Sequence, residues 1–275
     1  MKSCSSSRWI CSLVVALLGV ACATAPVAPP ESLVPTTGRL PYTELSADLF
    51  VEEVADGVIR FVSFKEQYDR PVATAGLLVL GPRGVVLIDT PWTNDQARLL
   101  ADWSRKRNHR EIREVLITHA HADRYGGATA LSALGATVRA LPRTIELAAA
   151  QHWGNRDYPR GIDAQELPKD ATIELAGEPV AVFFPGAAHA PDNLVVWLPN
   201  RRVLFGGCMV RATGDADLGN LADASADSWR AAINRVIDRY PTVEVVVPGH
   251  GDPGDRKLLL HTRELVIKKT LEPPR

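Results

Sequence analysis

From residue 49 onward, short apolar runs alternate with polar positions at a period of two. Residues 49–54, 58–62, 76–80 and 85–89 therefore read as antiparallel strands. Asp56-Gly57 is a hairpin turn signal between the first two, and Pro82-Arg83-Gly84 separates the last two in the same manner. Residues 63–74, between the hairpins, read as a polar, charged loop holding Phe64 and Tyr68. The period then lengthens. Thr93-Asn94-Asp95 can cap a helix carrying Ala97, Leu99, Leu100 and Trp103. A strand is expected at 114–117, a helix from Gly126-Gly127 through Leu134, a strand at 136–140 and a helix starting at Pro142.

The second half repeats this order. Strands are expected at 173–175, 180–184, 194–198 and 203–205. An amphipathic helix over 225–240 places Trp229, Ile233, Val236 and Ile237 on one face. A strand at 243–247 and a helix over 255–269 close the chain. Two halves, each with strands first and a helix last, predict an α/β fold. It is a four-layer αβ/βα sandwich, with two sheets face to face and helices outside.

The N-terminus departs from this patterning. Lys2 and Arg8, an apolar run at 13–18 and small residues at 19–23 predict an export signal over 1–25. Ala21-Cys22-Ala23 fits a small-x-small cleavage site. Gly19-Val20-Ala21-Cys22 resembles a bacterial lipobox, although a lipobox usually has leucine where Gly19 stands, and it would make Cys22 a lipid anchor. Pro26, Pro29, Pro30 and Pro35 make 26–45 a stiff tether. The folded domain is expected over 46–272, long enough for one sizeable core. The formal net charge is −1, and no basic run with interleaved aromatics points to nucleic acid. Cys4, Cys11 and Cys22 lie in the leader, so the exported domain keeps the single thiol Cys208 and has no internal disulfide.

Against this background one stretch stands out. Thr118-His119-Ala120-His121-Ala122-Asp123-Arg124 places two imidazoles and a carboxylate within five residues, just after a strand. An extended backbone would turn all three the same way, and a loop could wrap them around a metal. Three further strands end in a metal-capable residue beside glycine or alanine: His189, Cys208 and His250. Asp89 ends a fourth. His109, His152 and His261 lie in helical or polar contexts and read as structural or surface residues. Leaving Asp89 aside, six ligands exceed what one tetrahedral zinc uses. His119, His121 and His189 would hold one ion with a position open, and Asp123, Cys208 and His250 a second. The thiolate favours zinc over magnesium, calcium or manganese.

These motifs resemble the metallo-β-lactamase superfamily, and within it subclass B1, over essentially the whole mature chain. The resemblance rests on residues 119–127, on Ile88-Asp89-Thr90-Pro91-Trp92-Thr93, on Gly206-Gly207-Cys208-Met209, on Leu218-Gly219-Asn220-Leu221 and on Pro248-Gly249-His250-Gly251. Arg124 stands where glyoxalase-type and ribonuclease-type members carry a histidine, and Cys208 where they carry a bridging aspartate. His119, rather than asparagine, argues against the carbapenem-only B2 type. Three positions depart from the commoner pattern. Arg211 replaces a lysine, Ala190 replaces a threonine or serine, and the covering flap at 63–74 is unusually polar.

The resemblance implies the metallo-β-lactamase fold and a hydrolase that opens the amide of penicillins, cephalosporins and carbapenems with two zinc ions per chain. It implies Asp123 and Asn220 as catalytic groups, and Arg211, Asn220, Trp92 and Phe64 as substrate-binding groups. Arg124 and Asp89 would support the metal ligands from behind. A periplasmic monomer, with or without a lipid at Cys22, and no nucleic-acid partner complete the expectation. A zinc hydrolase of the same fold acting on another ester, lactone or amide, and a zinc-binding lipoprotein without catalysis, are the competing readings.

Overall fold

Apart from Met1, the computed structural model describes residues 42–67, 69–154 and 161–271. The expected leader with Cys22, nearly all of the expected tether, and Tyr68 lie outside the described residues. Strand β1 (Thr43–Ser46) already pairs with β2 (Leu49–Ala55), so folded structure begins before residue 46.

The first sheet runs in chain order from β1 and β2 through β3 (Val58–Gln67), β4 (Arg70–Gly81), β5 (Gly84–Ile88), β6 (Ile112–Ile117) and β7 (Thr137–Ala140) to β8 (Gln165–Glu166). It is antiparallel up to β5 and parallel beyond. The second sheet is built from β9 (Asp170–Leu175), β10 (Glu178–Phe183), β11 (Val195–Leu198), β12 (Val203–Gly207) and β13 (Val245–Pro248). Its one parallel pairing among these strands is β12 with β13.

Alternation along the strands sorts side chains into three apolar layers. In β5, Val86 and Ile88 meet Val196, Val203 and Phe205 of the second sheet, forming the core between the sheets. Val85 and Leu87 turn the other way, toward Leu100 of α1 (Asn94–Asn108), Leu131 of α3 (Ala128–Ala133) and Ala148 of α4 (Pro142–Gly154). Leu204 and Val246 cover α5 (Ala226–Arg239) and α6 (Lys257–Leu271) through Trp229, Ile233 and Leu259. Two mixed sheets with helices on both outer faces make the expected sandwich.

Helix α1 starts where its sequence says it should. Thr93 accepts the Gln96 amide at 3.2 Å, and the Gln96 side chain accepts the Thr93 amide at 3.2 Å. This reciprocal cap satisfies two amides at the helix start that would otherwise lack partners.

One expectation is corrected. Residues 63–74 are mostly strand: β3 and β4 continue as a ladder out to Gln67 opposite Arg70. Charged residues suit strands whose two faces leave the core, so polarity alone does not mark a loop. The rims of the two sheets are tied together close by. The Leu194 amide donates to the Thr118 carbonyl at 2.8 Å, and the Ala75 amide to the Gly249 carbonyl at 2.9 Å.

Candidate metal centre

The loop after β6 is pinned from below. Asp89, fully buried at the end of β5 with φ 58°, accepts the Thr118 amide at 2.8 Å and the Thr118 hydroxyl at 2.9 Å. Having given its proton to Asp89, the hydroxyl can only accept from His119 Nδ1, 3.2 Å away. That sets the tautomer and leaves the His119 Nε2 lone pair free. His121 is set the opposite way round. Its Nε2 donates to Asp223 Oδ2 at 3.0 Å, which leaves Nδ1 free. His121 Nδ1 lies 3.1 Å from His119 Nε2 and 3.2 Å from His189 Nε2. Neutral nitrogens this close have lone pairs aimed at a common point. Ligands about 2.0–2.1 Å from a tetrahedral zinc stand roughly 3.3 Å apart, so the triad fits that ion.

Electrostatics keeps two of these rings, His119 and His189, ready to ligate. Burial, aided by the neighbouring imidazoles, pushes His119 well below the usual histidine range and His189 down to about 3. A metal ligand must be neutral imidazole, and here deprotonation costs nothing near pH 7. His189 Nδ1 has no hydrogen-bond partner among the described residues, and Ala190 beside it offers no hydroxyl.

The second triad comes from three elements. Asp123 lies in the first turn of α2 (Ala122–Tyr125), Cys208 follows β12 and His250 follows β13. The loop alternative for the histidine-rich stretch is therefore the one realised, with a helical turn carrying Asp123. Ligand atoms of Asp123, Cys208 and His250 all lie within 4.8 Å of one another. His250 Nδ1 donates to the Ala73 carbonyl at 2.7 Å and turns Nε2 toward Asp123 Oδ2, 3.3 Å away. Gly249 makes the approach possible, because a Cβ there would meet the Cys208 sulfur at 2.8 Å.

Arg124 completes this half of the site from behind. Fully buried, it donates through Nε to Asp123 Oδ2 at 3.0 Å and through Nη1 to the Ala75 carbonyl at 2.9 Å, and reaches Asp89 at 3.3 Å. Burial would raise the Asp123 carboxyl, but Arg124 and His250 outweigh it and hold it well below the usual range. Burial would likewise lower His250, yet charge on Cys208 and the bond to Asp123 raise it to about 10. Asp123 and Cys208 thus draw positive charge to the point they share with His250, where a soft divalent cation suits the O, S, N donor set.

A family model described as Metallo-beta-lactamase superfamily matches residues 69–250. The chain belongs to this superfamily. A relative from Bacillus cereus named metallo-beta-lactamase type 2 is 38% identical over 195 residues, 71% of this chain and 73% of its own. A protein of the same name from Bacteroides fragilis is 31% identical, covering 84% of this chain and 91% of its own. The solved structure of a metallo-beta-lactamase from Pontibacter korlensis superimposes with a TM-score of 0.73 at 37% identity, covering 80% of this chain and 99% of its own.

The remaining residues expected from the superfamily resemblance occupy distinct settings. Asn220 is exposed, and its Oδ1 accepts the Ala222 amide at 3.0 Å, which fixes the side chain and leaves its amide group free to donate. Trp92 is part-buried under the β3–β4 hairpin; its Nε1 donates to the Val72 carbonyl at 3.0 Å, and Lys65 lies 5.9 Å above its ring. Phe64 is 7% exposed and packs against Phe50, Val62 and Ala75, so it braces the base of that hairpin. Arg211 forms an ion pair with Asp215 at 3.0 Å. His261 Nε2 donates to the Asp215 carbonyl at 2.9 Å, and His109 ends α1 on the surface.

Sequence reasoning assigned no role to Thr118, Asp223 or Thr74, which hold His119, His121 and Asp123 respectively. Thr118 stood inside the histidine motif. Asp223 lies three residues after Asn220, and its carboxylate in a polar loop carries no distinguishing pattern. Trp229 in α5 also serves the site. Its Nε1 donates to the Met209 carbonyl at 2.9 Å, next to Cys208, and its ring meets His189 edge-on with centroids 6.1 Å apart.

Proposed function

We propose that this protein is a subclass B1 metallo-β-lactamase that hydrolyses penicillins, cephalosporins and carbapenems with two zinc ions per chain. The observation that carries the reading is the pair of triads, one of His119, His121 and His189 and one of Asp123, Cys208 and His250. The metallo-beta-lactamase type 2 relatives support β-lactams as the substrate class.

His119, His121 and His189 would hold one zinc, and Asp123, Cys208 and His250 the other. Zinc bound there supplies Lewis acidity, polarising an amide carbonyl and making water acidic enough to act as a nucleophile near neutral pH. The chain's own residues do the rest. Asp123, kept ionised by Arg124, orients the attacking water through its carboxylate. The water oxygen bonds to the lactam carbonyl carbon, the carbon–nitrogen bond breaks, and the departing nitrogen takes up the proton that the water gives up. The free amide of Asn220 donates to the oxygen as negative charge develops, a contact worth about 3 kcal/mol where such donors have been removed. Arg211 binds the substrate carboxylate, in competition with Asp215, and Trp92 lines the floor under the hairpin.

Export to the periplasm as a monomer, with cleavage near Ala23 or lipidation at Cys22, belongs to the same reading. Hydrolysis rates for a penicillin, a cephalosporin, a carbapenem and a monobactam test it. The first three should be cleaved and the monobactam spared. A zinc-loaded protein inert toward all four, yet active on another ester, lactone or amide, would replace this reading with the broader one.

A further inference from the structure

The inner face of β3 carries one charge where its pattern calls for an apolar residue. Along that face Val58 packs into the core between the sheets, and Val62 and Phe64 into the cluster at the hairpin base. Between them lies Arg60, 3% exposed. Glu52 stands directly opposite it on β2, 5% exposed, with its carboxylate 2.5 Å from Arg60 Nη1. Desolvating both members of such a pair is costly, and an apolar pair of similar size often stabilises a fold as well or better. Stability alone therefore gives no reason for this pair.

The other arm of the guanidinium does. Arg60 Nη2 crosses to the rim of the second sheet and donates to the Gly251 carbonyl at 2.7 Å, while Nη1 lies 3.7 Å from Asp252 Oδ1. Gly251 immediately follows His250. Its φ of +77° sets the direction of that carbonyl, and a Cβ there would meet Ala212 at 2.5 Å. The turn is thus confined by Ala212 on one side and gripped by Arg60 on the other. On the near side of His250, Gly249 is tied to Ala75 and to Gly207. Without Arg60, the chain after His250 would lose its bond to the first sheet, and the imidazole would be held only by the Gly249 anchor before it and by its own Nδ1 bond to the Ala73 carbonyl.

We propose that Arg60, seated by Glu52, is a positioning residue for the Asp123–Cys208–His250 cation site. It fixes the Gly251 carbonyl and so, together with the Ala73 bond to Nδ1, the angle at which His250 Nε2 faces Asp123 and Cys208. The proposal rests on reading that triad as a metal site, and it makes the β3–β4 hairpin part of the metal-site frame.

The test uses cobalt(II) as the probe metal, with the full mature protein and the variants Arg60→Met and Arg60→Lys. Sulfur-to-cobalt charge-transfer absorption reports the Cys208 site, and competition with a chelator gives the two dissociation constants. Outer-shell partners of metal ligands typically contribute 10- to 100-fold in affinity, so Arg60→Met should raise the ratio of second-site to first-site dissociation constant by roughly that factor. Arg60→Lys keeps a charge for Glu52 but lacks the fork that reaches both partners, and its ratio should fall in between. A lower melting temperature with an unchanged ratio in the variants would overturn the proposal. If Arg60→Met fails to fold, the ratio in Arg60→Lys decides in the same way. Parental protein that binds cobalt without any charge-transfer absorption would instead overturn the ligand assignment itself.

Discussion

Replacing Arg124 by alanine is the severest single test of how this site is held. The side chain has no exposed surface and serves two buried carboxylates, Asp89 and Asp123, together with the Ala75 and Gly249 carbonyls. Removing one partner of a buried pair typically costs about 3–5 kcal/mol, because a charge is left without compensation. At about 2–4 °C per kcal/mol for a domain of this size, the melting temperature should fall by roughly 6–20 °C. The loss should also depend on pH. Burial already raises Asp89 to about 6 despite Arg124, against an ordinary 3.8. A carboxyl raised in the folded state binds more protons there than when unfolded. Its ionisation therefore removes stability as pH rises from about 4 through about 6. Without Arg124 that window extends upward, and Asp89 can relieve the loss of its partner by taking a proton. The deficit should thus be larger at pH 8 than at pH 5. Thermal unfolding of parent and variant at both pH values, with zinc in excess, measures this. A variant within 2 °C of the parent at pH 8 (a shift of about 1 kcal/mol or less), or a deficit equal at the two pH values, would mean that Arg124 does not compensate the buried carboxylates.

Three further outcomes follow from the same geometry. Cys208→Ser should cut zinc stoichiometry measured after dialysis, together with turnover; full retention of both would remove Cys208 from the ligand set. Asp223→Ala frees His121 Nε2, and since Asp223 is half exposed, water can partly replace it. Zinc affinity of the three-histidine site should fall by about 10-fold, the low end of what such partners contribute, and an unchanged affinity by chelator competition would count against the tautomer assignment. Arg211→Ala should raise KM more than it lowers kcat in steady-state hydrolysis; a change confined to kcat would exclude it from carboxylate binding.

Much of this molecule is readable from its residues. The alternation in Val85-Val86-Leu87-Ile88 sends neighbours to opposite faces, and the structure divides them between two cores. Each of the six ligands follows a strand or the turn beyond it, because strand ends are where a sheet can aim side chains at one point. What escaped notice has little side-chain signature. Strand β8 spans two residues and pairs through its backbone, and α2 is too short to show a helical period. The extended hairpin at 63–74 looked like a loop because polar residues suit both. Asp223 and Arg60 act across 102 and 191 residues of sequence, so only the folded chain brings them to His121 and Gly251.

On the proposed function, the two triads hold zinc for opening a β-lactam ring. Hydrolysis of a chromogenic cephalosporin by the purified protein, followed before chelation, after chelator removal of metal and after zinc is returned, tests it most directly. Turnover should be lost on chelation and restored by zinc. Turnover that survives complete metal removal, or a zinc-loaded folded protein that leaves the cephalosporin intact, would contradict it.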